Sequence, residues 1–125
     1  MHLRNAIVAD DVPEILDSVT KILERAGYTV RTAQSGREAV EFLRANPCDL
    51  LVTDMLMPEM DGIELILEVK RTKHATRILA ISGGGRTVTS DYCVNLAKAL
   101  GAHATLMKPF NRVQFLAAVD NAFAN

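Results

Sequence analysis

A run of apolar residues that ends in a single carboxylate is the first feature of this sequence that could do chemistry. Residues 50–53 have the length and apolarity of a buried strand, and Asp54 follows them directly. Pro58 and the pair Asp61-Gly62 then mark a turn. Asp54 should therefore lie at the carboxyl end of a strand, where open α/β sheets place their sites. A carboxylate there can act as a nucleophile, although Asp54 considered alone could equally cap the following loop.

Three other predicted strands also end in polar side chains. These are Asp10 and Asp11 after the first strand, Ser82 after the fourth and Lys108 after the fifth. Because the carboxyl ends of parallel strands lie at the same edge of a sheet, we expect these groups to surround Asp54. In a flavodoxin-like strand order the first and third strands are neighbours, so their carboxylates would face each other.

Three carboxylates in one place need compensating positive charge. At a separation of about 4 Å and an effective dielectric constant of about 20, each pair costs about 4 kcal/mol. Lys108 supplies one positive charge, and Mg²⁺ is the divalent ion that carboxylate oxygens without imidazole or thiolate favour. Such a site suits phosphoryl transfer, in which Asp54 attacks phosphorus and the Ser82 hydroxyl donates to a phosphoryl oxygen. Each group considered on its own has a simpler explanation: Asp10-Asp11 could cap the following helix, and Lys108 could be an ordinary surface cation.

The remaining chain alternates strand and helix signals. Strands are predicted at 5–9, 28–33, 50–53, 78–81 and 105–107. Each precedes a helix, and the helix starts are marked by Pro13, the capping box of Ser35 and Glu38, Asp61, the region of Ser90, and Asn111. Continuous apolar strands indicate a parallel sheet covered on both faces. We therefore predict an α/β fold, a flavodoxin-like doubly wound five-stranded sheet in the order 2-1-3-4-5 with five helices, in one domain spanning residues 1–125.

Composition excludes several classes of function. The chain has 125 residues, 49% of them hydrophobic and a net charge of -1, so it can form one core and offers no basic block for nucleic acid. No apolar run approaches the roughly 18 residues of a membrane span. The amino terminus lacks a signal peptide, and Cys48 and Cys93 lack a metal or redox spacing. We expect a cytoplasmic protein without membrane insertion.

Taken together, these motifs resemble the receiver domain of bacterial two-component response regulators. The resemblance covers essentially the whole chain and rests on Asp10-Asp11, Asp54 with Met57-Pro58 and Asp61-Gly62, Ser82, and Lys108-Pro109-Phe110. It implies that Asp54 accepts a phosphoryl group from the phosphohistidine of a sensor histidine kinase or phosphotransfer protein. It implies that Mg²⁺ is bound by Asp11, Asp54 and the backbone carbonyl of Leu56, with Asp10 assisting through water. It also implies that Ser82 and Lys108 bind the phosphoryl group and that the Lys108-Pro109 peptide is cis.

Two departures from the family pattern bear on switching. Thr105 stands where family members usually carry an aromatic residue, so a ring cannot turn inward behind a moving hydroxyl. Ordinary family variation accounts for this, and a sharper hypothesis is that the glycine loop 83–85 carries the response instead. Leu56 and Gly84 stand at positions that help set the hydrolysis rate in the family. Neither side chain can hydrogen-bond an attacking water, which predicts a phosphoryl lifetime on the longer side of the family.

Signal output is predicted on the last two helices and the strand between them. Their larger side chains are mostly expected in the core, and an exposed one would be of interest; they are Tyr92, Val94, Phe115 and Phe123. The absence of a linker after Asn125 favours a stand-alone switch. We expect such a switch to act on an unknown downstream protein partner and to catalyse only its own phosphorylation and dephosphorylation. The alternatives are the receiver part of a longer regulator, a static interaction module, or a phosphatase or flavin-binding domain. A phosphatase of the haloacid dehalogenase type would need an aspartate at Leu56, and Asp10-Asp11 would repel a flavin phosphate.

Overall fold

One parallel sheet of five strands organises the molecule, in the order β2-β1-β3-β4-β5. The computed structural model describes residues 4–57, 60–72, 75–83 and 88–124, with the backbone alone at 88–91. The strands are β1 (Arg4–Ala9), β2 (Tyr28–Ala33), β3 (Leu50–Asp54), β4 (Arg77–Ser82) and β5 (Ala104–Met107). The predicted flavodoxin-like order is confirmed, and β1 and β3 are neighbours at the point where strand order reverses.

A helix follows each strand, and four of the five helices begin at their predicted start signals. The helices are α1 (Pro13–Arg25), α2 (Gly36–Ala45), α3 (Gly62–Thr72), α4 (Val88–Leu100) and α5 (Arg112–Ala124). Ser35 caps α2 by accepting a hydrogen bond from the Glu38 amide at 3.2 Å. Asn111 caps α5 by accepting from the Gln114 amide at 2.8 Å. The predicted caps therefore form, because each depends on residues only three apart in the chain.

Hydrophobic cores cover both faces of the sheet. On one face, Leu50 and Val52 of β3 pack in a cluster that includes residues of α1 and α5. On the other face, Leu51 of β3 packs in a cluster with residues of α2, α3 and α4. All five residues of β3 are buried, as expected for a central strand of a doubly wound sheet. Packing on both faces holds the strand ends in place at the edge where the polar residues lie.

Small differences separate the predicted elements from the observed ones. β3 includes Asp54 instead of ending before it, and α4 begins two residues earlier than the predicted start at Ser90. Pro58 of the predicted turn and residues 84–86 of the predicted glycine loop lie outside the described residues. Among the side chains predicted for the output surface, Phe115 is buried and Tyr92 is 63% exposed. Tyr92 is thus an exposed side chain on the predicted output surface; the sequence alone did not indicate which of the four would be exposed.

Candidate functional site

Three carboxylates meet at the carboxyl edge of the sheet. Ala9 of β1 is the register partner of Thr53 of β3, so the residues that follow, Asp10 and Asp54, emerge side by side. Carboxylate oxygens of Asp10, Asp11 and Asp54 all lie within 4.8 Å of one another. Asp10 and Asp54 are buried, whereas Asp11 is exposed. The parallel register thus confirms the predicted convergence of the acidic pair with the carboxylate that ends β3.

Lys108 brings the compensating positive charge. Its Nζ lies 3.0 Å from Oδ2 of Asp10 and 3.8 Å from Oδ1 of Asp54. The backbone supports this placement, because the Lys108 N–H donates to the carbonyl oxygen of Ser82 at 3.0 Å. The Lys108-Pro109 peptide is cis, as the family resemblance implies. One ammonium group therefore contacts two buried carboxylates, one directly after β1 and one at the end of β3.

Backbone amides orient the two buried carboxylates. The Val12 N–H donates to Oδ1 of Asp10 at 2.9 Å, and the Met55 N–H donates to Oδ1 of Asp54 at 3.1 Å. Asp10 is held further by its own N–H, which donates to the Ala33 carbonyl at 3.0 Å. Sequence reasoning missed these donors, because every residue except proline carries a backbone N–H and only the local conformation decides where it points.

The electrostatics of the site act most strongly on Asp54. Burial disfavours its charged form and, with a contribution from the charges of Asp10 and Asp11, raises its pKa from 3.8 to about 6. Lys108 and the Met55 amide oppose this rise. At neutral pH the Asp54 carboxylate is mostly ionised, so it is available as a nucleophile. Burial destabilises this charged form, and a cation bound beside it would offset that destabilisation.

The two remaining predicted site residues also lie at this edge. Ser82 is the last residue of β4, is buried, and pairs in register with Met107, which directly precedes Lys108. Leu56 comes two residues after Asp54, and its side chain is 56% exposed. The Leu56 side chain is apolar and has no group that could hydrogen-bond at the acidic site. All of the predicted site residues thus lie at the carboxyl ends of strands or within two residues after them.

The donor set fits a hard divalent cation. Within the described part of the chain, Asp10, Asp11 and Asp54 are the one cluster of acidic, histidine or cysteine side chains close enough together to share a metal ion. All of their ligand atoms are oxygens, which Mg²⁺ and Ca²⁺ prefer over nitrogen or sulfur. The site is partly open through Asp11, so a cation there could retain water or accept a further ligand.

Comparison with known proteins gives a consistent family. The response regulator receiver domain model matches residues 6–120. Response regulator GtcR of Aneurinibacillus migulanus is 33% identical over 117 residues, which are 94% of this chain and 46% of that protein. The chain thus spans about half the length of the curated relatives it matches.

Among the helices that the structure describes, none combines the length and apolarity needed to cross a membrane.

Several solved structures are similar to this chain in both fold and sequence. A response regulator receiver domain protein from Clostridium thermocellum is 30% identical, with a TM-score of 0.85 and coverage of 98% of this chain and 95% of that one. A response regulator from Burkholderia pseudomallei, solved with a phosphorylated aspartic acid, calcium ion and citrate, is 29% identical. Its TM-score is 0.81, and the match covers 97% of this chain and 69% of that one. With a matching family model, a shared fold and a cluster of carboxylates beside a lysine, the chain belongs to the response regulator receiver domain family.

Proposed function

We propose that this chain is a phosphoacceptor switch in which Asp54 takes a phosphoryl group from a phosphohistidine. The observation that carries the proposal is the position of the Asp54 carboxylate, beside Asp10, Asp11 and Lys108 at the end of β3. The donor would be a sensor histidine kinase or a phosphotransfer protein. The Burkholderia relative, which carries a phosphorylated aspartic acid together with a calcium ion, supports both the reaction and the need for a divalent cation.

Each side chain has a role in the transfer. An Asp54 oxygen forms a bond to phosphorus while the P–N bond of the donor breaks, and the electron pair of that bond stays with the imidazole. The Met55 N–H holds the other Asp54 oxygen and so orients the attack. The Lys108 ammonium stabilises negative charge on the phosphoryl oxygens, and the Ser82 hydroxyl donates a hydrogen bond to one of them.

Asp10, Asp11, Asp54 and the backbone carbonyl of Leu56 would hold Mg²⁺. When bound, the ion supplies positive charge that neutralises the acidic cluster and the incoming phosphoryl group. The carboxylates contribute by repelling one another when the ion is absent, which makes binding of a cation favourable. Lys108 contacts Asp10 and Asp54 with a single positive charge, so it offsets only part of the repulsion among three carboxylates.

The phosphorylated form would bind a downstream protein partner differently or pass its phosphoryl group on, in the cytoplasm. Beyond its own phosphorylation and dephosphorylation the chain would have no enzymatic activity. Because the curated relatives are about twice its length, a receiver part of a longer regulator is the second candidate. The exposed apolar Leu56 side chain supports slow hydrolysis of the phosphoryl group, since it cannot hydrogen-bond an attacking water.

Phosphorylation of the intact protein by acetyl phosphate tests this proposal. We expect the wild type with Mg²⁺ to gain the mass of one phosphoryl group in an intact-mass measurement. Asp54→Asn should gain none, and Asp17→Asn, which changes an exposed carboxylate on α1, should behave as the wild type. An adduct that persists in Asp54→Asn, or that forms equally well in excess EDTA, would contradict the proposal. Failure of the wild type to react would instead favour a static interaction module.

A further inference from the structure

The start of α2 touches the backbone of the connection between β3 and α3. Gly36 is the first residue of α2 and is buried. A Cβ atom placed on Gly36 would lie 2.7 Å from the carbonyl carbon of Met60 and closer still to its oxygen. Neighbouring atoms essentially never come this near a real Cβ, so only a residue without a side chain allows the contact.

A second close contact continues from this connection to the phosphoacceptor strand. Gly62 follows Met60 by two residues, and a Cβ atom on it would lie 2.5 Å from the carbonyl oxygen of Asp54 and 2.8 Å from Cα of Met55. The Gly62 N–H donates to the Met55 carbonyl at 3.1 Å. Backbone contacts therefore run from Gly36 through Met60 and Gly62 to Asp54 and Met55, and Leu56 follows Met55 directly.

Of the two partners in the first contact, α2 is held more firmly. Its Ala39, Val40 and Leu43 side chains are buried in the core, and its first turn is capped by Ser35. Met60, by contrast, is only partly buried and lies before the first residue of α3. A methyl group added at Gly36 should therefore displace the Met60 backbone in preference to the helix.

We propose that Gly36 is a positioning residue for the cation site, although it contributes no ligand. By allowing α2 to lie against the Met60 backbone, it keeps Gly62 on Met55. Leu56, whose carbonyl is the proposed backbone ligand, follows Met55 directly, so the contact would control where that carbonyl lies. The inference rests on the proposed function, because it assumes that this carbonyl and the Asp54 carboxylate bind a divalent cation. It adds a part of the molecule distant in sequence, the start of α2, to the residues that determine cation affinity.

Two glycine substitutions of opposite kind separate positioning from general stability. Gly36→Ala introduces a backbone contact at a residue whose own φ is not in the left-handed region. Gly27→Ala introduces strain, because Gly27 has a φ of 97°, yet a Cβ there would meet no atom within 4 Å. Both variants should lower the melting temperature, but only Gly36→Ala should alter the cation site.

The measurement is a titration of each protein with Mg²⁺ alone, in which binding is monitored through the chemical shifts of the backbone amides. We expect Gly36→Ala to weaken Mg²⁺ binding roughly tenfold, as changes to groups that support metal ligands commonly do. Gly27→Ala should bind as the wild type does. Equal weakening in both variants, or none in Gly36→Ala, would overturn the inference. A wild type that binds no Mg²⁺ would overturn the proposed function instead.

The same titration of the wild type keeps the inference testable if Gly36→Ala does not fold. Binding of Mg²⁺ should shift the amide resonances of Gly36 and Met60, because the contact couples them to the site. The amide of Gly27 serves as the reference and should not move. Unchanged Gly36 and Met60 resonances at saturating Mg²⁺, with Asp54 and Met55 shifting normally, would overturn the inference without any variant.

Discussion

Asp54 combines two opposed requirements in one side chain. In the proposed reaction its carboxylate would have to be ionised to attack phosphorus, yet burial, with a contribution from the charge of Asp10, raises its pKa to about 6. Lys108 opposes this rise from 3.8 Å away without cancelling it. The price is a loss of folding stability at neutral pH, which is the usual consequence of holding a reactive charge in a partly desolvated site.

The pH dependence of unfolding should reveal this loss. Since the folded-state pKa of Asp54 is about 6 and its ordinary value is 3.8, the folded chain binds the proton more tightly than the unfolded chain does. The contribution of Asp54 to stability is therefore fully present below pH 3.8 and is lost as the pH rises through 6. We expect Asp54→Asn to raise the free energy of unfolding at pH 7.5, without Mg²⁺, by about 1–3 kcal/mol.

Denaturant unfolding of both proteins at a series of pH values measures the effect. The gain from Asp54→Asn should shrink as the pH falls toward 4, where the wild-type carboxyl is itself protonated. Asp17→Asn is the control, because Asp17 pairs with Lys21 in an exposed ion pair and should change stability very little. An Asp54→Asn protein no more stable than the wild type at pH 7.5 would show that burial does not raise this pKa.

At the scale of single elements, the start of α5 steadies the segment that carries Lys108. Asn111 and Gln114 exchange reciprocal hydrogen bonds, with the Asn111 N–H donating to Oε1 of Gln114 at 2.9 Å. Phe110, just before this cap, stacks on the buried Phe115 with ring centroids 5.7 Å apart. The cap and the stacked rings together fix the direction in which the chain leaves Lys108 and enters α5.

Removing the cap should cost stability in a predictable amount. We expect Asn111→Ala to lower the free energy of unfolding by about 1 kcal/mol, because two backbone amides at the helix start lose or loosen their partners. Chemical denaturation monitored by circular dichroism measures the change. Asp120→Ala, an exposed substitution within the same helix, should stay within about 0.5 kcal/mol of the wild type. Equal effects of the two substitutions would contradict the assigned role of Asn111.

At the scale of the whole molecule, the proposed switch requires that phosphorylation at the acidic edge change another surface. Thr105 lies in the edge strand β5, paired in register with Ala80, and is only half-buried. No ring is present at that position to turn inward on phosphorylation. Among the side chains that the structure describes, Tyr92 of α4 is the large exposed one nearest in sequence to the glycine loop after Ser82. We therefore expect the response to pass through the end of β4 and the start of α4.

Activation with beryllofluoride, a phosphoryl mimic, tests this route. In the wild type with Mg²⁺ we expect the amide resonances of Gly83 and of the first turn of α4 to shift, because Ser82, the proposed ligand of the phosphoryl group, directly precedes Gly83. The amide of Gly27, at the far end of α1, should not respond, and Asp54→Asn should show no response anywhere. Resonances of Gly83 and early α4 that remain unchanged while Asp54 and Lys108 shift would defeat the hypothesis.

Local patterns in the sequence were enough to predict the helices and strands and which polar residues come together at the sheet edge. The caps at Ser35 and Asn111 join residues only three apart, and the apolar runs that end in Asp54 and Lys108 mark strand ends whatever the rest of the chain does. Parallel topology then brings those ends to one edge, so the set of oxygen ligands with one ammonium follows from residue order alone.

Other properties depend on contacts between segments distant in the chain and could not be read from it. The 3.0 Å contact of Lys108 with Asp10 and the pKa of Asp54 near 6 depend on how deeply three different connections are packed against one another. The contact of Gly36 with Met60 joins the start of α2 to the connection before α3, two segments that are distant in the chain. Hydrophobic periodicity and helix capping depend on residues close together in the chain, so the sequence reveals them. The desolvation of a side chain and the close approach of two backbone segments depend on all the neighbours that surround them in space, and those neighbours are set only when the chain has folded.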